Sequence, residues 1–166
     1  MPTVTLSRED TAAAYARHRT LHEARRWTDL ADLFAEDGRY WEPFFGELNG
    51  REAVRDFLRE SMAGLEEWVF PITWTAIDEG RVVTQWFNRL PNPRRDGTPF
   101  QFRGISNIAY DDDGMIVSQE DSYDRIEALR VLAEARSPLL ERFNGMVLRT
   151  ASPMFALAKR VTGFAG

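Results

Sequence analysis

Two acidic residues, Glu42 and Asp121, have sequence surroundings that suit a side chain able to move protons. Each stands in a run of alternating side chains typical of a β-strand, and each shares its strand face with aromatic or aliphatic residues. A carboxylate placed among such groups loses water, which raises its pKa and makes it a usable proton acceptor near neutral pH. Either residue is therefore a candidate general base.

Both acids also have structural interpretations. Glu42 could lie at a rim and pair with an arginine, and Asp121 could pair with Arg103 or Arg125 or accept backbone N–H groups near its strand end. A slip of one residue along a strand would turn either acid to the opposite face. An inward acid needs hydrogen bonds, a charged partner or a proton to offset its lost hydration. The residues alone leave these alternatives open.

Neighbouring strands place further polar and aromatic side chains on the same predicted face. Apolar surface with a few convergent polar groups is typical of a small-molecule site. A ring such as Trp86 would shape or fill that site, whereas a hydroxyl such as Ser106 would donate a hydrogen bond. We predict catalytic roles for Glu42, Asp121 and Tyr40, and substrate-binding roles for His18, Phe44, Trp86, Asn88, Ser106 and Tyr123.

His18 and His22 stand one helical turn apart and could in geometry bind a metal. The segment HRTLH lacks the glutamate of the HExxH zinc motif, so we expect no metal site. One of the two more readily donates a hydrogen bond into the pocket, and His18 is the better candidate. The alternative is a half-exposed helix histidine.

Helical and strand patterns supply the frame that must hold these residues. Ser7 followed by Asp10 predicts a capped helix running to about Arg25, and Thr28 caps a second, shorter helix. The segment REAVRDFLRESM has apolar side chains at helical spacing. Strands are predicted for RYWEPF, for the hairpin WVFPITWTAI and VVTQWFNRL, for FQFRGISNIAY and for MIVSQEDSYD, with the helix RIEALRVLAEA after the last.

Helices followed by a meander of strands predict the α+β class. In the C-terminal tail, Ser-Pro pairs predict further helices that begin at Leu139 and Met154. We expect residues 1–136 to form the domain. Residues 137–166 would form a helical extension packed on the same domain or on a partner subunit.

Composition excludes several classes of protein. The 166 residues, 43% of them hydrophobic, suffice to bury the core of one domain without disulfides. The net charge of -5 argues against binding to a nucleic-acid backbone, and the absence of cysteine excludes thiolate catalysis. No apolar run is long enough for a membrane span and no signal peptide is visible. We therefore expect a cytoplasmic protein that binds neither nucleic acid nor membrane.

The order of these elements, together with the string LFAEDGRYWEPFFGELNGREAVRDFL, resembles the nuclear transport factor 2-like superfamily in its SnoaL-like, ketosteroid isomerase and limonene epoxide hydrolase branches. The resemblance spans roughly Ser7 to Leu132. It implies a cone-shaped α+β barrel, in which helices of the N-terminal half and a strongly curved mixed or antiparallel sheet enclose a hydrophobic pocket. It also implies a homodimer and a site that needs no metal or cofactor.

Limonene epoxide hydrolases resemble this chain at DSYD, which places the family's catalytic aspartate on Asp121 and its water-positioning tyrosine on Tyr40. The family's water-orienting asparagine position holds Glu42. Its catalytic arginine and aspartate positions hold Trp86 and Asn88. The resemblance therefore implies epoxide hydrolysis only with an altered triad.

Ketosteroid isomerases resemble the chain at Glu42, because their general-base aspartate stands one residue before a proline, as Glu42 stands before Pro43. Their oxyanion-hole tyrosine falls near His18 and their protonated aspartate falls on Ser106. Histidine and serine thus replace the tyrosine and the aspartate, and both replacements can still donate a hydrogen bond. The resemblance implies a general base at Glu42 with donors opposite.

RYWEP also resembles the β subunit of aromatic-ring-hydroxylating dioxygenases, which shares the fold and carries no catalytic centre. We predict a cofactor-independent general acid/base enzyme that isomerises, dehydrates or cyclises a hydrophobic cyclic small molecule, such as a steroid, terpenoid or polyketide. One alternative is an epoxide hydrolase-like activity. The other is a non-catalytic ligand-binding or scaffold subunit.

Overall fold

The computed structural model describes residues 6–92 and 95–135. The predicted extension 137–166, with its helices at Leu139 and Met154, lies outside the described residues. In chain order the elements are α1 (Arg8–Glu23), a 3-10 helix (Thr28–Leu33), β1 (Phe34–Glu42), β2 (Gly46–Asn49), α2 (Arg51–Met62), β3 (Ile72–Asp78), β4 (Arg81–Leu90), β5 (Phe100–Tyr110), β6 (Ile116–Tyr123) and α3 (Arg125–Glu134).

The first helix begins at the predicted cap. The Ser7 hydroxyl accepts from the Asp10 backbone N–H at 3.1 Å and donates to the Asp10 carboxylate at 2.6 Å. The helix ends at Glu23, two residues earlier than predicted, because Arg25 adopts a left-handed backbone with φ of 57°. No helix among the described residues is long and apolar enough to cross a membrane.

The strands form one mixed sheet in the order β2-β1-β6-β5-β4-β3. Among the described strands only β1 and β6 pair in parallel, while the other neighbouring pairs are antiparallel. Register shifts in the β1–β6, β3–β4 and β5–β6 pairs bend the sheet, which curves without closing. The predicted α+β class is confirmed.

Strand β1 starts earlier than the sequence pattern predicts. Asp37 and Gly38, which precede the predicted strand RYWEPF, lie inside β1 at a register shift. A Cβ on Gly38 would lie 2.7 Å from the Ile116 carbonyl oxygen, so only glycine allows this approach of two backbones. The short strand β2 was also missed, since four residues carry too little alternation to be recognised.

Two apolar clusters form the core, and they occupy opposite ends of the inner sheet face. One lies under α3 and includes Trp68, Phe102 and Leu132. The other lies under α1 and α2 and includes Tyr15 and Ile108. The space between the two clusters is where a cavity can remain.

The outer face of the sheet carries exposed aromatic side chains. Trp74 on β3 is 53% exposed and Trp41 on β1 is 46% exposed, and Ile105 on β5 lies between them in the sheet. Side chains of this kind occur at contacts between proteins. The homodimer implied by the family resemblance stays a prediction.

A glycine on β5 makes room for one tryptophan of β4. Gly104 is paired with Trp86 in register, and a Cβ on Gly104 would lie 2.1 Å from Cη2 of the Trp86 indole. The six-membered ring therefore lies directly on the glycine. Only a residue without a side chain permits this packing.

We expect Gly104→Ala to lower the free energy of unfolding by about 1–3 kcal/mol, because the added methyl group must displace the indole. Chemical denaturation measures the change, with the outward-facing Asn107→Ala on the same strand as control. In a Trp86→Leu background the loss should shrink, since the colliding ring is gone. An equal loss in both backgrounds would mean that the indole does not cause it.

Candidate active site

A cavity of about 180 Å³ lies between the two core clusters on the inner face of the sheet. Its wall combines the aromatic side chains of both clusters with a few polar groups, as the sequence pattern predicts. The structure brings eight of the nine predicted site residues to this wall: His18, Tyr40, Glu42, Trp86, Asn88, Ser106, Asp121 and Tyr123.

Asp121 receives three hydrogen bonds from side chains on three strands. The Tyr40 hydroxyl donates to Oδ2 at 2.6 Å, while Ser106 Oγ donates to Oδ1 at 2.6 Å and Gln119 Nε2 donates to Oδ1 at 3.1 Å. The strand register explains this convergence. Ser106 is directly opposite Asp121 across the β5–β6 pair, and Tyr40 is opposite Gln119 across the parallel β1–β6 pair.

Burial dominates the electrostatics of this group. Loss of water raises the pKa of Asp121 above its ordinary value, although hydrogen bonds from Ser106, Tyr40 and Gln119 favour the carboxylate and oppose the shift. The pKa of Tyr40 is raised well above its ordinary value by burial and then by the charge of Asp121. Tyr40 therefore stays protonated at neutral pH and can donate.

Glu42 is 6% exposed and closes the turn that follows β1. Its Oε2 accepts from the backbone N–H groups of Phe44 at 2.7 Å and Phe45 at 2.9 Å, and its Oε1 accepts from the Tyr123 hydroxyl. Burial raises the pKa of Glu42, and these three donors oppose the shift. Burial followed by the Glu42 charge also raises the pKa of Tyr123.

Neither acid forms an ion pair with an arginine among the described residues. The predicted structural alternatives, a rim Glu42 beside an arginine and Asp121 paired with Arg103 or Arg125, are therefore wrong. The donors are instead hydroxyls, one amide and backbone N–H groups. A neutral donor set stabilises a carboxylate less than a cation would, so each acid keeps a usable proton affinity.

His18 is 8% exposed and lies on the cavity wall, which excludes the half-exposed alternative. Its ring stacks between Tyr15 and His22, and Nδ1 has no hydrogen-bond partner among the described residues. Burial, with a smaller contribution from the charge of His22, lowers the pKa of His18 to about 3. The imidazole is therefore neutral at physiological pH, with one donor and one acceptor nitrogen.

Phe44 is the predicted site residue that the structure does not bring to the cavity. Its ring packs in the core cluster under α3, with its centroid 5.7 Å from that of Tyr123, and Phe45 lines the wall instead. The turn after β1 breaks the alternation that had placed Phe44 inward. Gln119 was not singled out, although it shares the inner face of β6 with Asp121.

The histidine pair does not form part of a larger ligand set. Among the described residues, no group of three or more His, Asp or Glu side chains is placed to hold a metal ion. The cavity wall offers carboxylates, hydroxyls, an amide pair and imidazoles. These groups can accept, hold and donate protons, and the expectation that no cofactor is needed stays a prediction.

Several solved structures share this fold. A steroid delta-isomerase from Pseudomonas aeruginosa is 24% identical, with a TM-score of 0.58 and coverage of 87% of this chain and 93% of that chain. An epoxide hydrolase of the LEH-like type from M. tuberculosis is 18% identical, with a TM-score of 0.58 and coverage of 75% and 90%. A putative ketosteroid isomerase from Kribbella flavida is 22% identical, with a TM-score of 0.55 and coverage of 70% and 79%.

Sequence comparison gives the family. No curated protein matches the chain. The family model described as a SnoaL-like domain matches residues 13–119, which include both histidines and most of the sheet, and which end two residues before Asp121. The chain belongs to the SnoaL-like domain family.

Proposed function

We propose that the protein is a cofactor-independent enzyme that moves a proton on a hydrophobic cyclic small molecule, of the isomerase, dehydratase or cyclase type. One observation carries the proposal. Two carboxylic acids, each hydrogen-bonded to a tyrosine and unpaired with any arginine of the described residues, lie on the wall of one apolar cavity. Such pairs supply both a base and a donor.

Asp121 and Tyr40 form the first pair and carry the base. The carboxylate takes a proton from the substrate, and the electron pair left behind moves toward an electron-withdrawing oxygen. Glu42 and Tyr123 form the second pair, in which the Tyr123 hydroxyl donates to Glu42. Neutral His18 therefore donates the hydrogen bond to that oxygen as it gains charge. Return of the proton to another carbon completes an isomerisation, and loss of the oxygen completes a dehydration.

Cavity volume limits the size of the substrate. An apolar cavity of roughly 150 Å³ holds benzene, and the cavity here measures about 180 Å³. A monocyclic terpenoid or polyketide fragment therefore fits better than a four-ring steroid. Rings on the wall, among them Phe57, Trp68 and Phe70, offer flat apolar contacts for such a molecule.

The relatives show that this fold is found in enzymes of more than one reaction class. Solved structures with this fold include proteins described as a steroid delta-isomerase and an epoxide hydrolase. Epoxide hydrolysis remains a second candidate, because Asp121 and Tyr40 could also activate a water molecule. A ligand-binding module is the non-catalytic alternative, and it is favoured by the role of Glu42 in closing its turn through two backbone N–H groups.

Replacement of the acids separates these functions. We expect Asp121→Asn to lower kcat by about 10²–10⁴-fold, while binding of the reaction product, followed by tryptophan fluorescence, persists. The assays are the conversion of a β,γ-unsaturated cyclohexenone into the conjugated enone and the hydrolysis of limonene oxide. Glu42→Gln should also lower turnover, with some loss of stability through its turn.

Glu120→Gln is the matched control, since this neighbouring acid lies exposed on the outer face of β6. Its kinetics should equal those of the wild type. If limonene oxide is turned over and the cyclohexenone is not, the protein is an epoxide hydrolase and the proposed isomerase function is wrong. Product binding without turnover of either compound, unchanged by Asp121→Asn, would establish the ligand-binding module.

Stability against pH tests the raised pKa without any substrate. A carboxyl group whose pKa is raised on folding stabilises the fold fully below its unfolded pKa, about 4, and this contribution is lost as the pH rises through the folded value. The Asp121→Asn variant lacks this carboxyl group, so its stability does not fall for this reason as the pH rises. We therefore expect the variant to gain free energy of unfolding relative to the wild type as the pH rises above about 4.

Urea denaturation at a series of pH values measures this difference, and Glu120→Gln again serves as control. A variant that loses stability relative to the wild type over the same range would contradict the sign. It would mean that the three donors to Asp121 outweigh its desolvation.

A further inference from the structure

A line of hydrogen bonds crosses the inner sheet face from β4 to β6. The Trp86 indole Nε1–H donates to Ser106 Oγ at 2.8 Å, and Ser106 Oγ donates to Asp121 Oδ1 at 2.6 Å. We call these three residues the Trp86–Ser106–Asp121 relay. Trp86 stands where the limonene epoxide hydrolases have their catalytic arginine, and the predicted role for its ring was to shape or fill the pocket.

The chemistry of the indole fixes the direction of the relay. An indole N–H can only donate, whereas a serine hydroxyl has one proton and can donate once while also accepting. Ser106 must therefore accept from Trp86, and its own proton is left for Asp121. The position of the indole is fixed in turn by Gly104, whose missing side chain leaves space for the ring.

The relay makes the two oxygens of Asp121 unequal. Among the described residues, Oδ1 receives donors from both Ser106 and Gln119, whereas Oδ2 receives only the Tyr40 hydroxyl. A proton placed on Oδ1 would face two donors and lose at least one hydrogen bond. A proton placed on Oδ2 can be donated to Tyr40 Oη, which accepts as readily as it donates.

We propose that Trp86 is a positioning residue that acts through Ser106 to reserve Asp121 Oδ2 for the transferred proton. Oδ2 accepts the proton from the substrate, and the C–H electron pair remains on the substrate. The new O–H donates to Tyr40 Oη, so that the Tyr40 hydroxyl proton turns from Asp121 toward the cavity. The Tyr40–Asp121 pair is then both base and donor in one proton-transfer unit, and this inference rests on the proposed function.

Trp86→Phe tests the relay because it keeps an aromatic side chain on β4 and removes the indole N–H donor. We expect kcat with the β,γ-unsaturated cyclohexenone to fall about fivefold, the size of one hydrogen bond, with KM nearly unchanged. The inflection of kcat/KM against pH should move to higher pH, because Asp121 loses support for its charged form. Trp74→Phe, on the exposed outer face, is the matched control and should change neither quantity.

A double-mutant cycle shows whether Trp86 acts through Ser106. Ser106→Ala should give the larger single effect, and adding Trp86→Phe to it should have no further effect on kcat or on the pH profile. Ser106→Thr keeps the hydroxyl and should restore both. If the fold-changes in kcat of the two single variants multiply in the double variant, the proposal is overturned, because Trp86 would then act through cavity shape.

A titration of the Asp121 side-chain carboxyl carbon by NMR separates this inference from the proposed function. If no compound is turned over but Trp86→Phe still raises the titration midpoint of Asp121, the relay is supported and the proposed enzymatic function is wrong. If Asp121→Asn abolishes turnover while Trp86→Phe leaves both the titration and kcat unchanged, the enzyme stands and the relay is overturned.

Discussion

Removal of two carboxyl groups from water without a cation to compensate them is the constraint on which the site depends. Glu42 and Asp121 are each held by three neutral donors. Four of the six donors are the side chains of Tyr40, Ser106, Gln119 and Tyr123, and two are the backbone N–H groups of Phe44 and Phe45. Desolvation still exceeds the effect of the donors, so that both pKa values are raised. The hydrogen bonds from these donors are strong enough to hold both carboxyl groups in the interior. They are also weak enough that both groups keep a raised proton affinity.

The mixed sheet makes this arrangement possible. Its single parallel pair brings β1 alongside β6, so that Tyr40 approaches Asp121 from one side while Ser106 approaches from the antiparallel neighbour β5. A purely antiparallel meander would not bring β1 and β6, which are far apart in sequence, to the same place. The split of the core into two clusters then leaves space in front of these groups.

Alternation along the strands was enough to predict most of the cavity wall, because a period of two fixes which side chains share a face. It failed where the strand is irregular. Phe44 follows a turn that Glu42 itself closes. At the start of β6 a register shift puts Ile116 in the core, where alternation counted back from Asp121 would place Met115 and Val117. The hydrogen-bond partners of the acids depend on pairing between distant strands, which a local pattern does not contain.

The measurement that tests the central claim most directly is the infrared band of protonated carboxyl groups, followed against pH in the wild type, Asp121→Asn and Glu42→Gln. Two acids with a raised pKa predict that this band persists at pH values above the ordinary carboxyl pKa of about 4. Each substitution should remove part of that band. A band that disappears within the usual range, and that neither substitution changes, would show that the cavity holds two ordinary carboxylates and no proton-transfer group.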